Sequence, residues 1–334
     1  GHILLAFPSS TIMYAALVCL VIGNGFFKPN VSTLLGNLYP EGSRLKDAAY
    51  NIFYMGINIG ALLSPIIAEF VKAKYGYHPA FAVAAGVMVI SLAIFWGFGK
   101  LVVERYTPSA GESEQPGQEA CETEISRIPE WKRVMALVVI FMVTVIFWMV
   151  FAQNGSTLTI WADENTRWNF SGIISNSINP LWIIILTYPL IAFWNYLAKF
   201  GKEPSTPTKM VYGMLLCALS FYIMYFAAIC GGNIGKVSPW WLIASYGVVS
   251  LGELMLSPMA LSLVSKVAPI RMRGMMMGIW FASTAIGNKL TVIGKYWEVW
   301  THSMFFFILA SMALATAFLL VIILKPLKKT MPGI

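Results

Sequence analysis

Long apolar runs separated by short polar stretches repeat along almost the whole chain. A membrane-spanning helix needs about 20 mostly apolar residues, and nine segments of this sequence meet that length. They lie approximately at 11–35, 49–71, 79–100, 132–156, 173–198, 209–230, 240–265, 273–296 and 303–325, and residues 1–7 resemble the end of a further helix. The pattern therefore predicts an all-α polytopic membrane protein.

The longest polar stretch separates the first three predicted helices from the last six. Residues 103–131 are rich in Glu, Ser, Gln, Pro and Gly, a composition that cannot bury a core. We therefore expect a partial N-terminal helix bundle at 1–100, a linker at 101–131 and a six-helix C-terminal bundle at 132–334. Three helices before six also indicate that about three helices are missing from a six-plus-six arrangement, the two-repeat architecture of major facilitator transporters.

Composition and charge agree with this class. Of the 334 residues, 58% are hydrophobic and 11% are charged, too few polar residues to cover a soluble domain. If the first full helix runs from outside to inside, sixteen Lys and Arg residues lie in inner loops and five in outer loops, as the positive-inside rule requires. The net charge of +8 thus indicates topology and not nucleic-acid binding. It predicts a multi-pass cell-membrane protein with a cytosolic C-terminus and a cytosolic linker.

Two charged residues fall deep inside predicted spanning helices. Glu253 lies near the middle of 240–265, and Lys28 lies within roughly 7 Å of the middle of its own helix. A charge at the bilayer centre costs about 2.5–3.5 kcal/mol, so each needs a partner or a water-filled cavity. Lys28 can instead extend to the membrane surface, and Glu253 can instead belong to a purely structural salt bridge. Lys289 is a third such charge, nearer the outer end, for which a structural or gating pair is favoured.

Helix-breaking residues accompany both of the deeper charges. The stretch VIGNGFFKPNVS at 21–32 surrounds Lys28, and the stretch LGELMLSP at 251–258 surrounds Glu253. If three helices precede the sequence, these are the fourth and tenth helices, which hold equivalent positions in the two halves. Paired interruptions in corresponding helices indicate a binding site near the bilayer midplane. Opposite charges on its walls suit a zwitterionic solute whose charged ends are well separated.

Four further side chains are candidate substrate contacts. Each of them can also serve helix packing, because interhelical amide bonds and buried aromatic rings are common in membrane bundles. They are Asn58, Asn179, Gln153 and Trp280.

Catalytic and metal-binding motifs are absent from the sequence. It contains no H-E-x-x-H, no G-x-S-x-G and no metal-ligand spacing among its four cysteines. Two aspartates, Asp47 and Asp163, are expected in loops, so no intramembrane aspartate pair is predicted. We therefore expect neither an intramembrane enzyme nor a metal or cofactor site.

Six ordered blocks of sequence resemble a known family. They are GNGFFKPNVSTLLG (23–36), DAAYNIFYMGINIGALLSP (47–65), QNGSTL (153–158), INPLWIII (178–185), LGELMLSP (251–258) and MGIWF (277–281). In these blocks the chain strongly resembles the proton-dependent oligopeptide transporter family of the major facilitator superfamily. The resemblance implies a major facilitator fold with about nine full helices, equivalent to helices 4–12, plus the tail of helix 3. It also implies symport of di- and tripeptides with protons by alternating access.

The resemblance implies a role for each candidate residue. Lys28 matches a fourth-helix lysine that helps hold the peptide carboxylate, and Glu253 matches a tenth-helix glutamate that receives the peptide amino group. In the empty carrier these two residues are candidates for a salt bridge across the inner gate. Asn58, Asn179 and Trp280 match residues that line the same pocket. Gln153 occupies the seventh-helix position that is acidic in many bacterial members, which puts that proton site in doubt.

The chain also departs from the family pattern. The E-x-x-E-R signature of the family's first helix is absent, and so are the two extra helices that many bacterial members insert between the halves. Glu253 is therefore the proton-coupling candidate, and the proton is the coupling ion. The expected partners are di- and tripeptides and the lipid bilayer, with the protein monomeric and no nucleic acid involved.

Two other functions remain open on the sequence alone. The same fold could carry another small solute, such as nitrate, an amino acid or another metabolite, although nitrate makes no use of Glu253. The scaffold could also serve as a membrane sensor that binds peptides without transporting them.

Overall fold

Helices make up nearly all regular structure in the computed structural model, which describes residues 1–40, 43, 45–106, 128–169 and 172–328. Short 3-10 turns at Ala152–Gly155, Ile270–Met272 and Thr291–Tyr296 interrupt or follow them. The α-helices are α1 (His2–Leu5), α2 (Ser10–Asn37), α3 (Leu45–Tyr75), α4 (Tyr77–Tyr106), α5 (Glu130–Phe151), α6 (Thr157–Glu164), α7 (Gly172–Ser175), α8 (Ile178–Lys199), α9 (Thr206–Cys230), α10 (Pro239–Val267), α11 (Arg273–Leu290) and α12 (His302–Lys328).

Within these described ranges, eight helical segments are long and apolar enough to cross a membrane. They coincide with eight of the nine predicted segments, which confirms an all-α polytopic membrane protein. The ninth predicted segment, 273–296, is not among the eight. It folds as the 18-residue helix α11 and then tightens into the 3-10 turn Thr291–Tyr296. Charged residues at both ends of α11, Arg273 and Lys289, leave it a shorter apolar stretch than the sequence pattern predicted.

The best-packed region lies in the C-terminal part of the chain. Helix α9 packs along α10 and α12, and α11 packs along α5. Large side chains such as Phe141, Phe221 and Phe306 are almost completely buried between these helices. The division into two bundles and a linker stays a prediction, because residues 107–127 of the linker lie outside the described part.

The N-terminal helices touch the rest of the protein along narrow stripes. Helix α3 packs against α8 and α10, and α2 packs against α10 and α11. Most side chains of α4 are exposed, and Trp96 is 89% exposed. Apolar surface of this extent is stable only against lipid tails or other protein, as expected for helices within a bilayer.

Two facing glycines allow α9 and α10 to approach closely. A Cβ atom added to Gly213 would lie 2.5 Å from the carbonyl oxygen of Gly252, and one added to Gly252 would lie 2.7 Å from the carbonyl oxygen of Gly213. Small residues at such crossings let the two backbones pack directly on each other. This close contact between α9 and α10 lies one residue before Glu253, so it helps to fix the position of the Glu253 side chain.

Gly252→Ala should therefore lower the unfolding temperature of the detergent-solubilised protein, since overpacking a buried contact costs roughly 1–3 kcal/mol. The matched control is Gly278→Ala in α11, where an added Cβ meets no atom within 4 Å. Tryptophan fluorescence recorded during heating measures both variants. Equal unfolding temperatures for the two variants would contradict the close approach.

Candidate functional site

One face of α3 carries a stripe of polar side chains. Asp47, Asn51, Tyr54 and Asn58 are spaced by four, three and four residues, which places them along one side of a helix. Asp47, Asn51 and Asn58 are buried, and Tyr54 is partly buried. Because α3 packs against α8 and α10, this stripe forms a polar seam between α3 and the C-terminal helices.

Glu253 lies in the middle of this seam. It belongs to α10, is 3% exposed, and accepts a hydrogen bond from the Tyr54 hydroxyl at Oε1. The side-chain amide of Asn179 in α8 donates to the other carboxylate oxygen, Oε2, at 2.9 Å. Three helices therefore hold one buried carboxyl group.

The partners of Glu253 are neutral. Among the residues that the structure describes, no basic side chain forms an ion pair with it. An ionised carboxylate buried beside neutral donors alone is costly, and either a proton or an arriving cation relieves that cost. The Glu253 carboxyl group can therefore accept a proton or bind the ammonium group of a ligand.

Asn179 fixes the start of α8 against α10. Its Nδ2 atom donates to Ser250 Oγ as well as to Glu253, both at 2.9 Å. The Ser250 hydroxyl donates in turn to the Asn179 main-chain oxygen at 3.4 Å. Asn58 lies one turn from Tyr54 on α3, and its amide donates to the Tyr54 main-chain oxygen at 3.0 Å. The structure therefore brings Asn58, Asn179 and Glu253 into one seam, and their roles as substrate contacts stay predictions.

Lys28 lies apart from this cluster. Its side chain on α2 is exposed, while its neighbours Pro29, Ser32 and Gly36 form the buried face of that helix. Lys28 and Glu253 form no ion pair in this structure. The gate salt bridge between them stays a prediction for another state of the protein.

Gln153 and Trp280 occupy packed positions elsewhere. Gln153 is fully buried; its amide donates to the Thr291 main-chain oxygen at 3.3 Å, and its carbonyl accepts from Thr157 Oγ1 at 3.0 Å. Trp280 packs edge-on against Phe141, with ring centroids 5.4 Å apart. The described contacts join neither residue to Glu253. Their roles as substrate contacts stay predictions, and packing accounts for both positions.

Two seam residues escaped the sequence analysis. Tyr54 was not singled out, although it lies four residues before Asn58 and thus on the same helix face. Asp47 was expected in a loop, and that expectation is wrong: it lies in the first turn of α3 and is 6% exposed. Asp163 likewise lies in a helix, α6, where it is exposed. A charge next to an apolar run ordinarily marks a helix end, so hydropathy alone could not reveal the burial of Asp47.

Comparisons with known proteins agree with this architecture. The family described as PTR2: POT family matches residues 1–115 and 112–295. The uncharacterized transporter YclF of Bacillus subtilis (strain 168) is 30% identical, over 100% of this chain and 78% of that protein. A di-/tripeptide transporter of Lactococcus lactis subsp. cremoris is 27% identical, over 99% of this chain and 79% of that protein.

Solved structures show the same fold. A crystal structure of a mutant of the peptide transporter POT in complex with alafosfalin matches with a TM-score of 0.69 at 29% identity, over 99% of this chain and 78% of that chain. A structure of peptide transporter POT in complex with sulfate matches with a TM-score of 0.69 at 27% identity, over 99% and 78% of the two chains. The helical fold of the chain is therefore that of these transporters.

A double-mutant cycle tests whether Tyr54 serves Glu253. Tyr54→Phe should lower stability by roughly 1–3 kcal/mol, because it leaves a buried carboxyl oxygen without its donor. In a Glu253→Ala background the same change should cost much less, since the acceptor is gone. Unfolding midpoints of the four proteins measure the coupling.

Tyr188→Phe is the matched control, because Tyr188 is an exposed tyrosine of α8 and its change should have no effect in either background. A loss from Tyr54→Phe that is equally large with and without Glu253 would show that the hydroxyl does not serve the carboxyl group.

Proposed function

The chain belongs to the POT family, and from this premise we propose that it is a transporter that carries di- and tripeptides into the cell together with protons. The observation that carries the proposal is the buried carboxyl group of Glu253, held by neutral donors from α3 and α8. A site of this kind binds an ammonium group or a proton. It has no evident use in a carrier of simple anions.

Glu253 is the proposed receptor of the peptide amino group. An ammonium group that reaches the carboxylate makes charge-assisted hydrogen bonds, which are about twice as strong as neutral ones. Asn179 holds the carboxylate in place from α8, and the Tyr54 hydroxyl donates to it from α3. Binding of the amino group therefore competes with the contact between Tyr54 and Glu253 and loosens the seam.

Lys28 is the proposed receptor of the peptide carboxylate. Its ammonium group is exposed on α2, and it forms no ion pair with Glu253 in this structure. Both charged ends of a short peptide then have a partner of opposite sign on different helices. Asn58, Gln153 and Trp280 remain candidate contacts for the body of the peptide.

Proton coupling is assigned to the same carboxyl group. A proton neutralises Glu253 when no ammonium group is bound, and an ammonium group neutralises it when a peptide is present. Because a proton and an ammonium group exclude each other at one carboxylate, symport requires the displaced proton to pass to a second acceptor on the carrier while the peptide is bound.

The proposed orientation follows from the basic residues. The protein would lie in the cell membrane with the C-terminus and residues 101–131 in the cytosol, because most Lys and Arg residues lie at that side. With this orientation, the first turn of α3 and the last turn of α10 lie at the cytosolic end of the seam.

Uptake into liposomes tests the role of Glu253. With an alkaline interior, the full-length protein should accumulate labelled dialanine, and Glu253→Gln should reduce this accumulation about tenfold or more, because a charge-assisted hydrogen bond contributes roughly 1.5–3 kcal/mol. The matched control is Glu130→Gln, which removes a carboxylate that forms an exposed ion pair with Arg271. It should leave uptake unchanged.

Three outcomes would contradict the proposal. Unchanged gradient-driven uptake by Glu253→Gln would remove the carboxyl group from the coupling mechanism. Competition by nitrate in the absence of competition by unlabelled dialanine would instead support an anion carrier. Peptide binding without uptake by the unaltered chain would support a sensor.

A further inference from the structure

A second buried carboxylate lies at the end of the seam, outside the candidate binding site. Asp47 Oδ1 accepts hydrogen bonds from Lys266 Nζ and Ser262 Oγ, both at 2.5 Å. Asp47 Oδ2 accepts from Lys209 Nζ at 2.8 Å. The Thr206 hydroxyl also lies within hydrogen-bond distance of both oxygens, at 3.2 and 3.1 Å.

All of these donors come from one side of the seam. Lys209 and Thr206 belong to α9, Ser262 and Lys266 belong to α10, and Asp47 alone belongs to α3. Asp47 is 6% exposed, Lys209 is 1% exposed and Lys266 is 7% exposed. Buried ions are tolerated only when their hydrogen bonds are satisfied, and here the carboxylate is fully surrounded by donors. The cluster is therefore stable only while α3 stays against α9 and α10.

Lys209 and Lys266 would keep different partners if α3 moved away from α9 and α10. Lys209 Nζ also contacts Glu203 Oε1 at 2.6 Å, and Glu203 lies in the turn before α9. Lys266 Nζ has the Thr206 hydroxyl at 2.9 Å as its other described partner. Separation would leave Lys209 in an ion pair, would leave Lys266 without a carboxylate, and would remove all the donors described for Asp47.

Other contacts close the same end of the protein. Lys46, the residue before Asp47, donates to the Ser265 main-chain oxygen at 3.3 Å. The Tyr50 hydroxyl donates to the Ser32 main-chain oxygen of α2 at 2.7 Å. Asp47 lies seven residues before Tyr54, which corresponds to about 10 Å along a helix. The cluster and the Glu253 site therefore occupy successive levels of one seam.

We propose that Asp47 is a latch that closes the cytosolic end of the transport path by joining α3 to α9 and α10. Opening towards the cytosol requires the Asp47 carboxylate to leave Lys209 and Lys266 together. Water molecules then replace the two lysines as hydrogen-bond partners of the Asp47 carboxylate. The role of this contact as a gate rests on the proposed transport function, whereas the contact itself can be measured without any substrate.

Distances between spin labels test the latch. The labels are placed at Leu45 and Ile270, which are both exposed, in a chain whose four cysteines have been replaced. One short distance should dominate in the unaltered chain. Asp47→Asn should raise the ratio of long to short distances about tenfold or more, because breaking a buried ion pair is strongly destabilising.

Glu203→Gln is the matched control, because it removes a carboxylate from the same cluster but breaks only a contact within the α8–α9 side. It should leave the short distance dominant. A distribution in Asp47→Asn that superposes on that of the unaltered chain, or an equal shift in Glu203→Gln, would overturn the latch.

A charge-reversal pair distinguishes loss of the Asp47 contact from misfolding of the variant. Asp47→Lys should open the labelled end, and combining it with Lys266→Asp should restore the short distance. A folded double variant that stays open would also overturn the proposal. A shift in Asp47→Asn in a chain that takes up no peptide would keep the latch and remove the proposed substrate, so the two proposals fail separately.

Discussion

A buried carboxylate in a membrane protein needs donors from other helices, and this requirement governs the seam between α3 and α10. Asp47 and Glu253 meet it in different ways. Asp47 is surrounded by two lysines and two hydroxyl groups, whereas the described partners of Glu253 are a tyrosine and an asparagine. The donors around Asp47 satisfy its negative charge completely, whereas Glu253 still needs a proton or a cation to neutralise its charge. The seam therefore combines a fully paired carboxylate, Asp47, with a carboxyl group that can still bind a proton or a cation, Glu253.

The rest of the described fold supports this division. Helix α10 is buried along most of its length, and the close approach at Gly213 and Gly252 seats it against α9. Helices α9 and α10, which carry Lys209 and Lys266, are therefore tightly packed against each other. Helix α3 presents its polar stripe to these helices and is otherwise largely exposed. A helix held mainly by polar contacts can separate from its partner once water takes over those contacts, as alternating access requires.

The sequence predicted much of this fold, because long apolar runs follow directly from bilayer thickness. It failed at α11, where charges at both ends shorten the apolar stretch. Glu253 and Asn179 were recognised because polar groups are rare within spanning helices, and the structure brings them together. Tyr54 was missed because an aromatic residue in such a helix ordinarily indicates packing. Asp47 was missed because its lysine partners lie 162 and 219 residues away, a separation that no local pattern can bridge.

The central claim is that Glu253 binds the amino group of a peptide. The most direct test compares the binding of dialanine and N-acetyl-dialanine to the unaltered chain and to Glu253→Gln, measured by tryptophan fluorescence. The account predicts that acetylation weakens binding to the unaltered chain about tenfold or more, since a charge-assisted hydrogen bond is lost, and has little effect on the variant. An equal effect of acetylation on both proteins would contradict it.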